Sequence, residues 1–225
     1  MERGRTKKER MGRINRRPAS RQPNVRRILL WPLTLLDYTC QRLLLGISQR
    51  REIDSFSVYS VDGTQQFFKT ATEAIALLRS KDPVRYERAR RYMPVIAHVR
   101  QGFNFYKHAV RAFYVHEPSE DVPYFASEIV HEATHAYLQS RGYRYDHRSR
   151  KHHEQICTRQ QLAFIMRVIQ SQDHISPAQQ EDLIRQWKEW FQQQLASEWW
   201  HERVTRQKQL GAIKELLIEL RKKSP

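Results

Sequence analysis

The sequence predicts an α+β fold: a small mixed sheet followed by two long helices, with helical segments before and after. Three observations carry this. Residues 55–61 alternate apolar and polar and run into Asp62-Gly63, a turn signal with aromatic residues beyond it. Residues 95–116 hold further short apolar pieces, around Val95, Ile96 and Val99, then Phe103 and Phe105, then Ala109 to Val115. Two segments of helical period follow, 123–141 and about 150–166, each with helix start or stop signals at its ends.

Composition sets the outer limits. A chain of 225 residues has room for one main domain with extensions, and 40% hydrophobic content supports a modest packed core. Two cysteines, Cys40 and Cys157, lie too far apart to form a disulfide framework and suit a reducing, cytoplasmic compartment. The net charge is +16. Residues 1–27 hold eleven Lys and Arg against Glu2 and Glu9, a balance of +9, so the other 198 residues carry only +7.

Taken in order, residues 1–27 are too polar and too like-charged to fold alone. They read as a disordered basic arm, either for an anionic partner (nucleic acid or a lipid surface) or as a solubilising extension. Residues 28–50 read as an amphipathic Leu-rich helix. Asp37 and Arg42 would each cost about 2.5–3.5 kcal/mol at a bilayer centre, which argues against spanning. Thr34, Asp37, Gln41 and Arg42 gather on one side, and Leu33, Leu36, Cys40, Leu43, Leu44 and Ile47 on the other. Such a helix either covers the domain core or lies on a membrane surface, a peripheral placement. No signal peptide is expected, because the apolar stretch starts late and lacks a small-x-small cleavage site.

Residues 51–172 form the expected main domain. A hairpin is predicted over 55–69, turning at Asp62-Gly63, and a helix over 70–80 capped by Thr70 or Thr72. Asp82-Pro83 opens another helix ending near Tyr92 or Met93. Two or three strands are predicted in 95–116. Residues 173–225 form a helical extension. Its capping box is Ser176-Pro177-Ala178-Gln179, and a long helix to about Lys208 carries Trp187, Trp190, Phe191, Leu195 and Trp199 as a core-facing stripe. A last amphipathic helix follows Gly211.

The chain's most informative stretch is His131-Glu132-Ala133-Thr134-His135. On a helix, residues four apart share one face, so both imidazoles can address one metal ion. Glu132 can lean over the metal's open position. Pro123 suits the first turn of this helix and Gly142 its end. A third ligand is needed. The pattern with a further His after H-E-x-x-H-x-x-G is absent, since position 138 is Leu and position 141 is Arg. Glu154, 19 residues after His135 and opening a second helix, is a candidate; His152 and His153 compete with it. Cys157 falls on the same helical face as Glu154 and reads more simply as a small buried residue.

The layout resembles the gluzincin (thermolysin-like) branch of the zincin metallopeptidases, over residues 84–170. The resemblance implies zinc as cofactor, with His131, His135 and Glu154 as ligands. It implies hydrolysis of peptide bonds in a peptide or protein substrate by a metal-activated water, with Glu132 as general base. It implies that the Glu-bearing helix packs antiparallel to the motif helix, and that an edge strand, here 109–115, pairs with substrate. A Tyr or His stabilises the oxyanion in such enzymes, and the 142–149 loop offers Tyr143, Tyr145 and His147. The family often carries an Asp four residues after the ligand Glu to orient a histidine. Thr158 stands there instead, with Asp146 or His153 as neighbouring substitutes. The rival reading is a basic binding protein, tethered to nucleic acid or membrane, with a zincin-like or metal-free core that does no catalysis.

Overall fold

The computed structural model describes residues 25–100, 104–116, 118–146 and 149–196. Most of the basic arm, His147 and the segments predicted beyond 196 lie outside the described residues. The fold is α+β. Helix α1 (Val25–Ile47) leads into strand β1 (Gln49–Ile53), which pairs antiparallel with β2 (Phe56–Ser60). Helices α2 (Gln65–Lys81) and α3 (Pro83–Tyr92) connect to β3 (Val95–His98), parallel to β2. Then come β4 (Phe105–Lys107), a 3-10 turn over His108–Val110, and β5 (Ala112–Val115). Helices α4 (Val122–Ser140), α5 (Arg150–Gln170) and α6 (Pro177–Ala196) complete the described chain.

The sheet is mixed, in the order β1-β2-β3-β5-β4, with β5 parallel to β3 and antiparallel to β4. Strand alternation divides its residues between two cores. Phe56, Val58, Ile96, Phe113 and Val115 face the larger core with α2 to α6. Ala97, Val99, Ala112 and Tyr114 face the smaller one with Leu44 and Leu45 of α1. Strand β5 is buried on both faces, as an interior parallel strand must be.

Three sequence expectations fail here. The hairpin turns at Asp54-Ser55, with Asp54 in the left-handed region at φ 57°, rather than at Asp62-Gly63. Residues 65–69 are the first turns of α2, whose cap position is Thr64 rather than Thr70 or Thr72. Phe67, Phe68, Ala71, Ala74, Ile75 and Leu78 are all buried, and their spacing is that of one helical face. The aromatics that suggested a return strand begin that face. Likewise 109–115 is not an edge strand: Ala112–Val115 is interior, and the edge belongs to β4.

Other local signals hold. The Asp82 side chain accepts a hydrogen bond from Arg85 N at the start of α3, with Pro83 in the first turn. Ser176 and Gln179 form the reciprocal capping box of α6. Phe191 is buried in the larger core, and Leu183, Ile184 and Trp187 pack against it.

Candidate metal centre

Helix α4 presents the motif at mid-length. Asp121 caps it by accepting from Tyr124 N at 2.8 Å, and Pro123 sits in its first turn. At its end, Gly142 adopts φ +84°; Gly142 N donates to Gln139 O at 3.0 Å and Tyr143 N to Leu138 O at 3.1 Å. This paired closure is the Schellman arrangement, in which a left-handed residue is nearly always Gly. The helix is therefore fixed at both ends, and His131 and His135 share its inner face.

Helix α5 brings the third donor. Glu154 Oε2 lies 3.3 Å from His131 Nε2 and 3.5 Å from His135 Nε2, and the two histidine nitrogens are 3.2 Å apart. Further along α5, Gln161 meets His131 and Ser127. Numbers rise on α5 as they fall on α4, so the two helices run antiparallel. Donors held by tetrahedral zinc at 2.0–2.1 Å would stand about 3.3–3.4 Å apart, and the observed triangle matches that spacing. Four protein ligands close a structural zinc site, whereas three leave a position open.

Cys157 also lies near, its sulfur within 4.8 Å of donor nitrogens of His131 and His135. Glu154 makes the tighter set and fits better. Burial pushes the Cys157 thiol well above its ordinary value, with the Glu154 and Glu132 charges adding to it. His152 is exposed. His153 is buried against the Tyr143 and Tyr145 rings, and its Nδ1 finds no partner among the described residues.

A chain of hydrogen bonds sets the tautomer of His131. Ser127 Oγ donates to Tyr124 O at 2.6 Å, so its lone pairs are free to accept from Gln161 Nε2 at 3.0 Å. That orients Gln161 with Oε1 toward His131 Nδ1, at 3.0 Å. Nδ1 then carries the proton and Nε2 is left as the metal-facing lone pair. Gln161 thus occupies the orienting role that the family pattern placed at position 158. Thr158 is buried, but Gln161, seven residues after Glu154, lies two turns on along the same face.

Among the described residues of the 142–149 loop, Tyr145 reaches the centre. The Tyr145 hydroxyl donates to Glu154 Oε1, accepts from Arg150 Nε at 3.0 Å, and its ring edge meets His135 at 5.2 Å. Burial and the Glu154 charge raise its pKa, which keeps the O–H as a donor. Tyr143 is 59% exposed. Asp146 works elsewhere: its carboxylate accepts from Ser149 N at 3.0 Å and its own N–H donates to Ser149 Oγ, closing the turn into α5.

The electrostatics follow from this packing. Burial alone would raise the Glu154 carboxyl, but the hydrogen bonds and charges of His131 and His135 outweigh it and hold it far below the usual range. Burial opposes the charged His131 imidazole, yet the Glu154 hydrogen bond and the Glu132 charge prevail and raise its pKa.

Glu132 is buried, at 9% exposure, one turn from Glu128 on α4. Sequence reasoning passed over Glu128. Its Oε1 accepts from Asn104 Nδ2 at 2.7 Å, and Asn104 Oδ1 accepts from His116 N at 2.9 Å. Asn104, just before β4, thereby ties the sheet edge to the motif helix. Burial pushes the Glu128 carboxyl up to about 7, with the Asn104 bond opposing and the Glu132 charge adding.

The chain matched no protein-family model, no curated protein and no solved structure.

Proposed function

We propose that the chain is a zinc-dependent hydrolase, a metallopeptidase that cleaves peptide bonds in a peptide or protein substrate. One observation carries the reading. Three donor atoms, from His131, His135 and Glu154, converge within 3.5 Å, next to Glu132, a buried carboxylate whose charge acts on His131. Zinc held there would supply the Lewis acidity that makes water nucleophilic near neutral pH. Glu132 takes the proton of the attacking water and returns it to the leaving amine. Gln161 holds His131 in the binding tautomer. Tyr145 holds Glu154, which makes it a positioning residue in this geometry rather than an oxyanion donor.

A non-catalytic binding protein would account for the basic segment equally well, but it has no need for a base between two ligands. The cytoplasmic compartment is part of the proposal, and Cys40 and Cys157, both buried and unpaired, accord with it. Residues 1–27 are read as a contact to an anionic partner.

The test is Glu132→Gln. The variant should keep a full equivalent of zinc and lose hydrolysis of a peptide library by about 10²-fold or more. Hydrolysis at the wild-type rate would remove Glu132 from the mechanism.

A further inference from the structure

Helix α1 has two faces, and the fold uses one. Leu44 and Leu45 pack on the sheet in the smaller core, and Asp37, Cys40 and Gln41 are buried beside them. Asp37 pairs with Lys107 Nζ of β4 at 2.5 Å and accepts from Gln41 Nε2 at 2.9 Å. The two sides expected from the sequence are thus mixed: Cys40 and Leu44 of the leucine side are buried, but so are Asp37 and Gln41 of the polar side, while Leu36 and Leu43 are exposed.

The outward face carries four large apolar residues, with exposed Thr39 and Arg42 among them. Leu35 is 57% exposed, Leu36 51%, Leu43 52% and Tyr38 39%. Seven large hydrophobic residues are exposed among the described residues, and these four all lie on α1. At about 100° per residue, Leu35, Leu36 and Leu43 fall within a sector of roughly 100°. The charge around them has one sign. Between Arg10 and Arg51 the chain has ten arginines and a single acid, Asp37, which is turned inward and neutralised.

We infer that α1 and the basic segment before it dock the protein on an anionic lipid bilayer. The helix lies in the plane of the surface, with Leu35, Leu36 and Leu43 entering the boundary between headgroups and acyl chains. One modest apolar face binds a membrane only marginally, and a polybasic segment beside it is the second signal that makes binding stable. No described helix is long and apolar enough to cross a membrane. The Asp37–Lys107 pair holds α1 against the sheet while its other face meets lipid. Nucleic acid would also accept the arginines, but it offers the leucines nothing to enter. The inference does not depend on the hydrolase reading.

The experiment is sedimentation of the full chain with vesicles of phosphatidylcholine containing about a third phosphatidylserine, beside pure phosphatidylcholine. Binding to the anionic vesicles is expected, at least about 10-fold tighter than to the neutral ones and weakening as salt rises. The Leu35→Ser/Leu36→Ser/Leu43→Ser variant should lose about 10-fold or more on vesicles, with an unchanged melting temperature and unchanged affinity for a single-stranded oligonucleotide. Leu36→Cys carrying an environment-sensitive dye should shift its emission to the blue on anionic vesicles; Cys40 and Cys157 are buried and should stay unlabelled. Absence of wild-type binding, equal binding by the triple variant, or an unshifted dye would each overturn the inference. So would leucine-dependent self-association without vesicle binding, which would assign the face to a second copy of the chain.

Discussion

Gln161 orients His131, a proposed zinc ligand. Its amide is oriented by Ser127, and its carbonyl fixes the proton on His131 Nδ1. Gln161→Ala should therefore weaken zinc binding by about 10- to 100-fold while leaving the three ligands in place. Gln161→Glu, which still accepts from Nδ1–H, should recover most of that loss. Competition with a chromophoric chelator reads both, and wild-type affinity in Gln161→Ala would show that the bond does not matter. The motif itself was legible because a four-residue spacing fixes a shared helical face without tertiary information. Glu154 was legible by resemblance. Gln161 was not, because its role depends on how deeply α5 overlaps α4. The choice between Tyr143 and Tyr145 was hidden for the same reason: the path of a loop decides which ring turns inward.

At the scale of elements, Asp82 is the joint that seats α3 against α5. It is fully buried, caps α3 through Arg85 N, and pairs with Arg85 and with Arg167 Nη1 at 3.0 Å. Arg85 in turn reaches Gln160 Oε1 on α5, one residue before Gln161. Asp82→Ala removes the cap and the carboxylate beside the mostly buried Arg85 guanidinium, while the half-exposed Arg167 keeps its water, a cost of about 2–3 kcal/mol. Thermal unfolding should show a correspondingly large fall, and a change of a degree or less would mean the pairing is not structural. This cap and that of α6 were readable because they are local chemistry; the α2 cap was not, because its first turn read as a strand. The hairpin was misread for a physical reason. Asp62-Gly63 is a genuine turn, and Gly63 does take φ +67°. It turns β2 into a helix, however, while Asp54 supplies the left-handed residue that reverses the strand. Asp tolerates that conformation better than most residues, so the tighter turn carries a weaker sequence signal.

For the whole molecule, the sheet separates two cores. Its larger core seats α4 and α5 and so the candidate metal centre; its smaller core seats α1. Strand β4 connects them, with Lys107 holding Asp37 of α1 and Asn104, just before the strand, holding Glu128 of α4. The α+β class was legible because each element carries its own periodicity. The place of β4 at the edge was not, since strand order depends on pairing between distant segments. The faces of α1 were also hidden, since an ion pair from another element turned its acid inward.

The account depends most on Glu154 as the third ligand. The most direct measurement is zinc content by mass spectrometry, after chelation and reconstitution, of wild type beside Glu154→Ala and Cys157→Ser. The expected result is one equivalent in the wild type and in Cys157→Ser, and a large loss in Glu154→Ala. An equivalent retained by Glu154→Ala but lost by Cys157→Ser would contradict the site as described, and no zinc in the wild type would contradict the metal centre altogether.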